Sequence, residues 1–205
     1  MELSWYIYPL VLLAGVTAGG MNALAGSGSL VTLPALVWLG LPSTIANGTN
    51  RVGIVVQCLI GVETFRQGDE LDLEGTHWLI GPAALGALVG AWIATRLDAA
   101  QTDMVIGVVM IGMLGVLLAD PQTWLRETTE TFEGRPPWWL LGLLFVVGIY
   151  GGFIQAGVGV LMLATLVLGA GYEVVEANAV KLLIALVFTS GALAVFLYNG
   201  RVNWA

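Results

Sequence analysis

From Trp5 to Leu41 the chain carries no charged residue. As one helix at 1.5 Å per residue, these roughly 37 residues would reach about 55 Å, against an apolar bilayer core of about 30 Å. The run therefore has to break and turn, and the natural place is Gly26-Ser27-Gly28-Ser29. Paired glycines free the backbone there, and hydroxyls can satisfy amides that the helix no longer serves. The expected layout is a helix to Ala25, a shorter helical segment from Ser29 to Leu39, and a turn over Leu41-Pro42-Ser43-Thr44.

Composition puts this broken run in a bilayer. With 58% apolar and 10% charged residues and a mean hydropathy of +0.88, the chain is too apolar for an ordinary soluble domain. A multi-pass protein of a prokaryotic inner or plasma membrane is expected. Met1 to Tyr8 hold Glu2 and no Lys or Arg, so a cleaved signal peptide is not expected and the first run is read as a retained span. A net charge of -7, with acidic loops such as Glu127 to Glu133, argues against nucleic acid or anionic lipid as partners. Cys58, the single cysteine, cannot form an intrachain disulfide and reads as apolar packing. His77, the single histidine, has no His or Cys neighbour for zinc. No phosphate loop and no nucleophile, base and orienter set can be assembled, so neither an enzyme nor a cofactor is expected.

The frame of the first run returns 131 positions later: Gly26, Gly28, Leu30, Gly40, Ala46 and Asn47 match Gly157, Gly159, Leu161, Gly171, Ala177 and Asn178. A duplicated unit is the simplest explanation. The expected fold is all-α, a polytopic transmembrane helix bundle of two homologous repeats with glycine-broken helices. Residues 1–120 form the first repeat, 121–137 a hydrophilic linker, and 138–205 a second repeat that looks incomplete. Further helices are expected over Ile45 to Phe65, Trp78 to Thr95, Met104 to Ala119 and Val174 to Tyr198, with a short segment over Val160 to Leu168. Gly86-x-x-x-Gly90 and Gly148-x-x-x-Gly152 mark faces for close helix approach.

Polar residues in this setting are costly and so informative. Arg51 and Lys181 stand at nearly equivalent places in the two repeats, each a few residues after an Ala-Asn pair. The functional reading is an anion site to which each repeat contributes a cation. Asn47, Asn50 and Asn178 would add amides, and the segments after each glycine break would add N-terminal N–H groups. The bland reading is that both cations snorkel to headgroups. Asn22, Ser27 and Gly28 at the first break, and Gln155, Gly157 and Gly159 at the second, offer further polar atoms or exposed backbone to one cavity. Glu63 would carry a coupling proton if buried, or lie at a helix end beside Arg66.

The run Gly26-Ser27-Gly28-Ser29-Leu30-Val31-Thr32-Leu33-Pro34, followed by Ala46-Asn47-Gly48-Thr49-Asn50-Arg51, resembles the TauE/SafE family of sulfite and organosulfonate exporters. Gly151-Gly152 and Ala177-Asn178-Ala179-Val180-Lys181-Leu182-Leu183 are similar to that family's second half. The resemblance implies an integral transporter of duplicated units acting on small sulfur-containing or related anions. Together these features lead to a secondary transporter moving a small anion by alternating access. The alternative is a non-transporting membrane scaffold or accessory subunit built around its Gly-x-x-x-Gly faces. Expected partners are the small anion, the lipid bilayer and, as a homo-oligomer, further copies of the chain. Arg66, Arg126, Arg135 and Arg201 against Arg96 favour a cytoplasmic amino terminus if the short segments re-enter; if they cross, the repeats are inverted.

Overall fold

The computed structural model describes residues 7–68, 76–118 and 136–204. Over these residues the chain is helical and has no strand. In chain order the elements are α1 (Ile7–Ala25), α2 (Ser29–Trp38), α3 (Ser43–Gln67), α4 (Thr76–Ala94), α5 (Ala99–Leu118), α6 (Trp138–Phe153), α7 (Val158–Ala164) and α8 (Val174–Tyr198). A π-helical turn, Thr165–Gly169, closes α7. Among the described residues, α4 and α8 are long and apolar enough to cross a membrane. Most of the expected linker, with Arg126 and Arg135, lies outside the described residues.

Helix starts follow local chemistry. α5 begins five residues before the expected Met104 because Asp98 and Gln101 cap it reciprocally. Gln101 N–H donates to Asp98 Oδ1 at 2.8 Å and Asp98 N–H donates to Gln101 Oε1 at 3.2 Å. That is a capping box with Asp in place of Ser or Thr. α3 and α8 each run for 25 residues, and α2 and α7 are the short pieces, of 10 and 7 residues. At 1.5 Å per residue, α2 covers about 15 Å, half of a bilayer core.

The centre is assembled by backbones rather than by large side chains. α4 lies against α6, and their glycine stripes face each other. A Cβ on Gly86 or Gly90 would fall on the carbonyls of Phe145 and Ile149, and one on Gly148 or Gly152 on those of Ala83 and Ala87. Ala83, Ala87 and Ala91 on α4 are fully buried, so the small-residue surface is continuous with the core. Around it pack Leu140, Leu144, Leu166, Ile184 and Phe188.

α8 covers α4 on one side and α3 on the other. α3 and α8 are antiparallel. Arg51, early in α3, sits 4.7 Å from the Phe196 ring near the end of α8, while Gly61, late in α3, abuts Leu182 early in α8.

The α4–α6 contact yields a test within one helix. Gly152→Ala should lower the melting temperature in detergent, because its Cβ meets fixed backbone and overpacking costs about 1 to 3 kcal/mol. Gly142→Ala, where nothing lies within 4 Å, should leave the melting temperature unchanged or raise it, since alanine favours helix by about 1 kcal/mol. Equal melting temperatures in the two variants would show that the contact is not close.

Candidate functional site

At the first interruption, α1 stops at Ala25, Gly26 takes φ +68°, and α2 starts at Ser29. Only glycine adopts that backbone without strain. Asn22, in the last turn of α1, stitches the gap. Its Oδ1 accepts from Gly28 N–H at 2.9 Å, and its Nδ2 donates to Gln57 Oε1 of α3 at 2.7 Å. One amide thus serves the Gly28 N–H just before α2 and ties the break to α3. Asn50 Oδ1 accepts from Thr32 Oγ1 at 2.6 Å, joining α3 to α2.

At the second interruption, α6 stops at Phe153 and Gly157 takes φ +73° before α7. A helix end leaves carbonyls without intrahelical donors. Tyr150 O accepts from Ile154 N–H; the next three are served by α3. Arg51 Nη1 donates to Gly151 O at 3.1 Å, Arg51 Nη2 to Gly152 O at 2.7 Å, and Asn47 Nδ2 to Phe153 O at 2.9 Å. Arg51 Nη1 also donates to Gln155 Oε1 at 2.7 Å, and Gln155 Nε2 donates to Thr189 Oγ1 at 2.8 Å. The planar guanidinium suits adjacent carbonyls in a way a point ammonium does not. Arg51 is 0% exposed, and its positive charge meets the negative end of the α6 dipole.

Lys181 in α8 does the corresponding thing at the other break. It is 1% exposed, and its Nζ donates to Asn178 Oδ1 and, at 3.4 Å, to Asn22 O near the end of α1. Each half therefore sends a buried cation to the broken helix of the other half. Among the described residues neither cation has a carboxylate partner, and the ion pair there is Glu63 with Arg66, at 3.2 Å on the surface. That contact, and the hydrogen bond from Gln67 Nε2, place Glu63 at the helix end rather than in the interior.

The breaks come together at a cavity of about 230 Å³. Gly26 and Gly159 touch backbone to backbone beside it, and a Cβ on either would overlap the other. Of the expected site residues, Asn22, Gln155, Gly159 and Lys181 line the cavity. Ser27, Gly28, Asn47, Asn50, Arg51, Gly157 and Asn178 do not. Gly28 packs on Ala18 of α1, Gly157 faces Met113, and Asn178 holds Lys181.

Arg51 is taken up by the α6 carbonyls and stands behind Gln155, so in this structure the two cations do not reach one cavity together. Neither cation is exposed, so neither snorkels from its place in this structure. Sequence reasoning missed Ser29, Gln57 and Cys58 as lining residues. Gln57 carried a signal, being a polar residue in the same costly α3 set as Asn47, Asn50 and Arg51.

The cations are not equivalent, and their removal should show it. Arg51→Gln gives up three hydrogen bonds from a charged donor, each contributing about 1.5 to 3 kcal/mol. It should lower the melting temperature in detergent by more than Lys181→Gln does. Equal losses would mean that the end of α6 does not depend on Arg51.

The family model described as "Sulfite exporter TauE/SafE" matches residues 11–205. A "Probable membrane transporter protein" of Haemophilus influenzae is 24% identical over 206 residues, covering 100% of this chain and 79% of that protein. "Probable membrane transporter protein ORF9" of Sinorhizobium is 23% identical, covering 99% of this chain and 77% of its own. "Probable membrane transporter protein YfcA" of Escherichia coli K12 is 25% identical, with 97% and 75% covered. No solved structure matches. By the match over residues 11–205, the chain belongs to the sulfite exporter TauE/SafE family.

Proposed function

We propose that this membrane protein is a secondary transporter that binds a small anion in the cavity between the two breaks and carries it across the bilayer by alternating access. The observation that carries this reading is Lys181: a cation 1% exposed, with no carboxylate partner among the described residues, on the wall of a cavity that both interrupted helices reach. A buried charge without a counter-charge is costly, and an anion in the cavity would offset that cost at Lys181. The family description makes sulfite the leading cargo, and the motif resemblance adds an organosulfonate.

The chain's internal likeness supports the transport cycle. Val174 lies 131 positions after Ser43 and Tyr198 lies 131 after Gln67, so α3 and α8 match end for end. The left-handed glycines Gly26 and Gly40 recur as Gly157 and Gly171 at the same offset. We therefore read residues 1–120 and 138–205 as two repeats joined by the linker 121–137. Because α3 and α8 are antiparallel, the repeats are inverted, an arrangement that lets one half adopt the other's conformation and so reverse the open face. In the present state the Arg51 half is closed on the α6 carbonyls and the Lys181 half holds the cavity.

The test is anion binding and uptake by purified protein in liposomes, with variants matched for folded amount. Lys181→Gln should weaken anion binding by about 10- to 150-fold, the value of a charge-assisted hydrogen bond of about 1.5 to 3 kcal/mol, and Lys181→Arg should recover part of it. Unchanged affinity in folded Lys181→Gln would overturn the anion site and favour the scaffold reading.

A further inference from the structure

The stripe of α3 that faces the cavity continues past it. Ile54, Cys58 and Gly61 line the cavity, and Arg51, Asn47 and Thr44 lie before them at the same helical spacing. On α8 the matching line is Lys181, Ala185 and Phe188 at the cavity, then Ala192 and Phe196. The interruption after α6 is shared in the same way: Gln155 faces the cavity, while Phe153 and Ile154 face a second space. That space is a gap of about 10 Å³ between Thr44, Asn47, Thr102, Phe153, Phe196 and Arg201. It sits at the end of α4 and the start of α5, where Arg96, Asp98 and Asp103 mark the edge of the apolar layer. One water needs about 10 to 15 Å³, so in this state nothing of anion size passes.

The gap is covered by the chain that follows α8. Gly200 takes φ +65°, Gly200 N–H donates to Leu197 O at 3.0 Å, and Arg201 N–H donates to Phe196 O at 2.9 Å, the two bonds of a Schellman turn. The turn sends Arg201 to Trp204 back across the start of α3. Arg201 O rests on Gly48, where a Cβ would come within 2.0 Å of it, so the strap needs glycine there. Asn203 N–H donates to Thr49 Oγ1 at 2.9 Å. Arg201 Nη1 donates to Thr44 Oγ1 at 3.3 Å, and Nη2 to Thr95 O, just past α4, at 3.5 Å. Both guanidinium bonds are longer than usual, which makes for a closure that parts readily.

Polar capacity lies behind the strap. Asn47 Oδ1 and Arg51 Nε are buried with no hydrogen-bond partner. Lys181 on the cavity, Arg51 between the two spaces and Arg201 at the gap form a row of three cations, and no carboxylate is among the described residues lining either space. Such a row draws an anion along it. On the reading that the cavity is the transport site, we propose that the gap beneath Arg201 is the closed far end of the anion's route, and that the strap from Arg201 to Trp204 is the gate over it. Opening parts the strap from the start of α3, with the turn at Gly200 as its hinge. Phe196, now 4.7 Å from the Arg51 guanidinium, moves aside with the end of α8, and Arg51 Nε meets the passing anion.

The gate is tested by tying it shut. The hydrogen bond between Asn203 and Thr49 brings their main chains within reach of a disulfide, so Thr49→Cys/Asn203→Cys can be oxidised in the full chain, with buried Cys58 left in place. In liposomes, oxidation should slow uptake of labelled sulfite and methanesulfonate by at least about tenfold, and a reductant should restore it. Calorimetric affinity for the same anions in detergent should change by less than about twofold, because the tied state keeps the Lys181 cavity. Neither single variant should respond to the oxidant. If the first pair does not fold, Thr44→Cys/Arg201→Cys, bridged by a short bifunctional thiol reagent, makes the same tie, and a long flexible reagent should release it. Unchanged uptake in fully tied protein would overturn the gate and leave the transport site standing. Loss of binding together with uptake would also overturn it, since the strap would then act through the cavity. No uptake by the unaltered protein would overturn the transport reading and the gate with it.

Discussion

A backbone interrupted inside an apolar protein leaves carbonyls that neither water nor a helix can serve, and the whole arrangement follows from how they are served. In this chain the end of α6 is met by Arg51 and Asn47 of α3, residues about 100 positions away in sequence. The end of α1 is met by Lys181 of α8, 159 positions away. These contacts of Arg51, Asn47 and Lys181 cross between halves. They hold the interruptions open at fixed places, which is why a cavity forms between them rather than a continuous helical core. Without Arg51, three carbonyl or amide oxygens would be left in a setting with few other donors.

The satisfaction is uneven, and the unevenness falls on one helix. Asn47 Oδ1, Asn50 Nδ2 and Arg51 Nε are buried without a hydrogen-bond partner. All three lie between Asn47 and Arg51 of α3, where that helix meets α2 and α6. Unpaired buried polar atoms lower the stability of the arrangement they sit in. The closed half is thus well anchored through its guanidinium yet keeps polar capacity in reserve. The alternating-access cycle proposed above needs neither of its end states to be much deeper than the other, and such a reserve would work in that direction.

Much of the helical layout was legible in the chain, because the spans are long, apolar and punctuated by Gly, Pro and charged residues. The interruptions were legible for a physical reason: an uncharged run from Trp5 to Leu41 cannot remain one straight helix in a bilayer. The start of α5 at Ala99, before the expected Met104, depends on Asp98 and Gln101 pairing as the two halves of a cap, which neither residue signals alone. What Arg51 touches was not legible at all. Sequence marks a cation as costly without saying whether a carbonyl, a ligand or a headgroup meets it, since that depends on how α3 crosses α6. The same limit hid the difference between Arg51 and Lys181, which look alike in their sequence surroundings and differ only in tertiary partners. Gln57 shows the converse: its polarity stands out in an apolar helix, but its place on the cavity wall comes from the packing of α1 against α3.

The face between α4 and α6 has a mechanical consequence. Side chains that interlock can rearrange by changing rotamer, so an interface built from them can yield by degrees. Where Gly86, Gly90, Gly148 and Gly152 bring one main chain onto another, no rotamer is available to change. Such a contact is either kept or parted, and parting it would strip a long strip of close dispersion contact at once. α4 and α6 accordingly behave as one stiff spar. Any displacement that exposes the cavity to the opposite side has to be taken up at the glycine joints and in α3 and α8, with the spar as the fixed frame against which they turn.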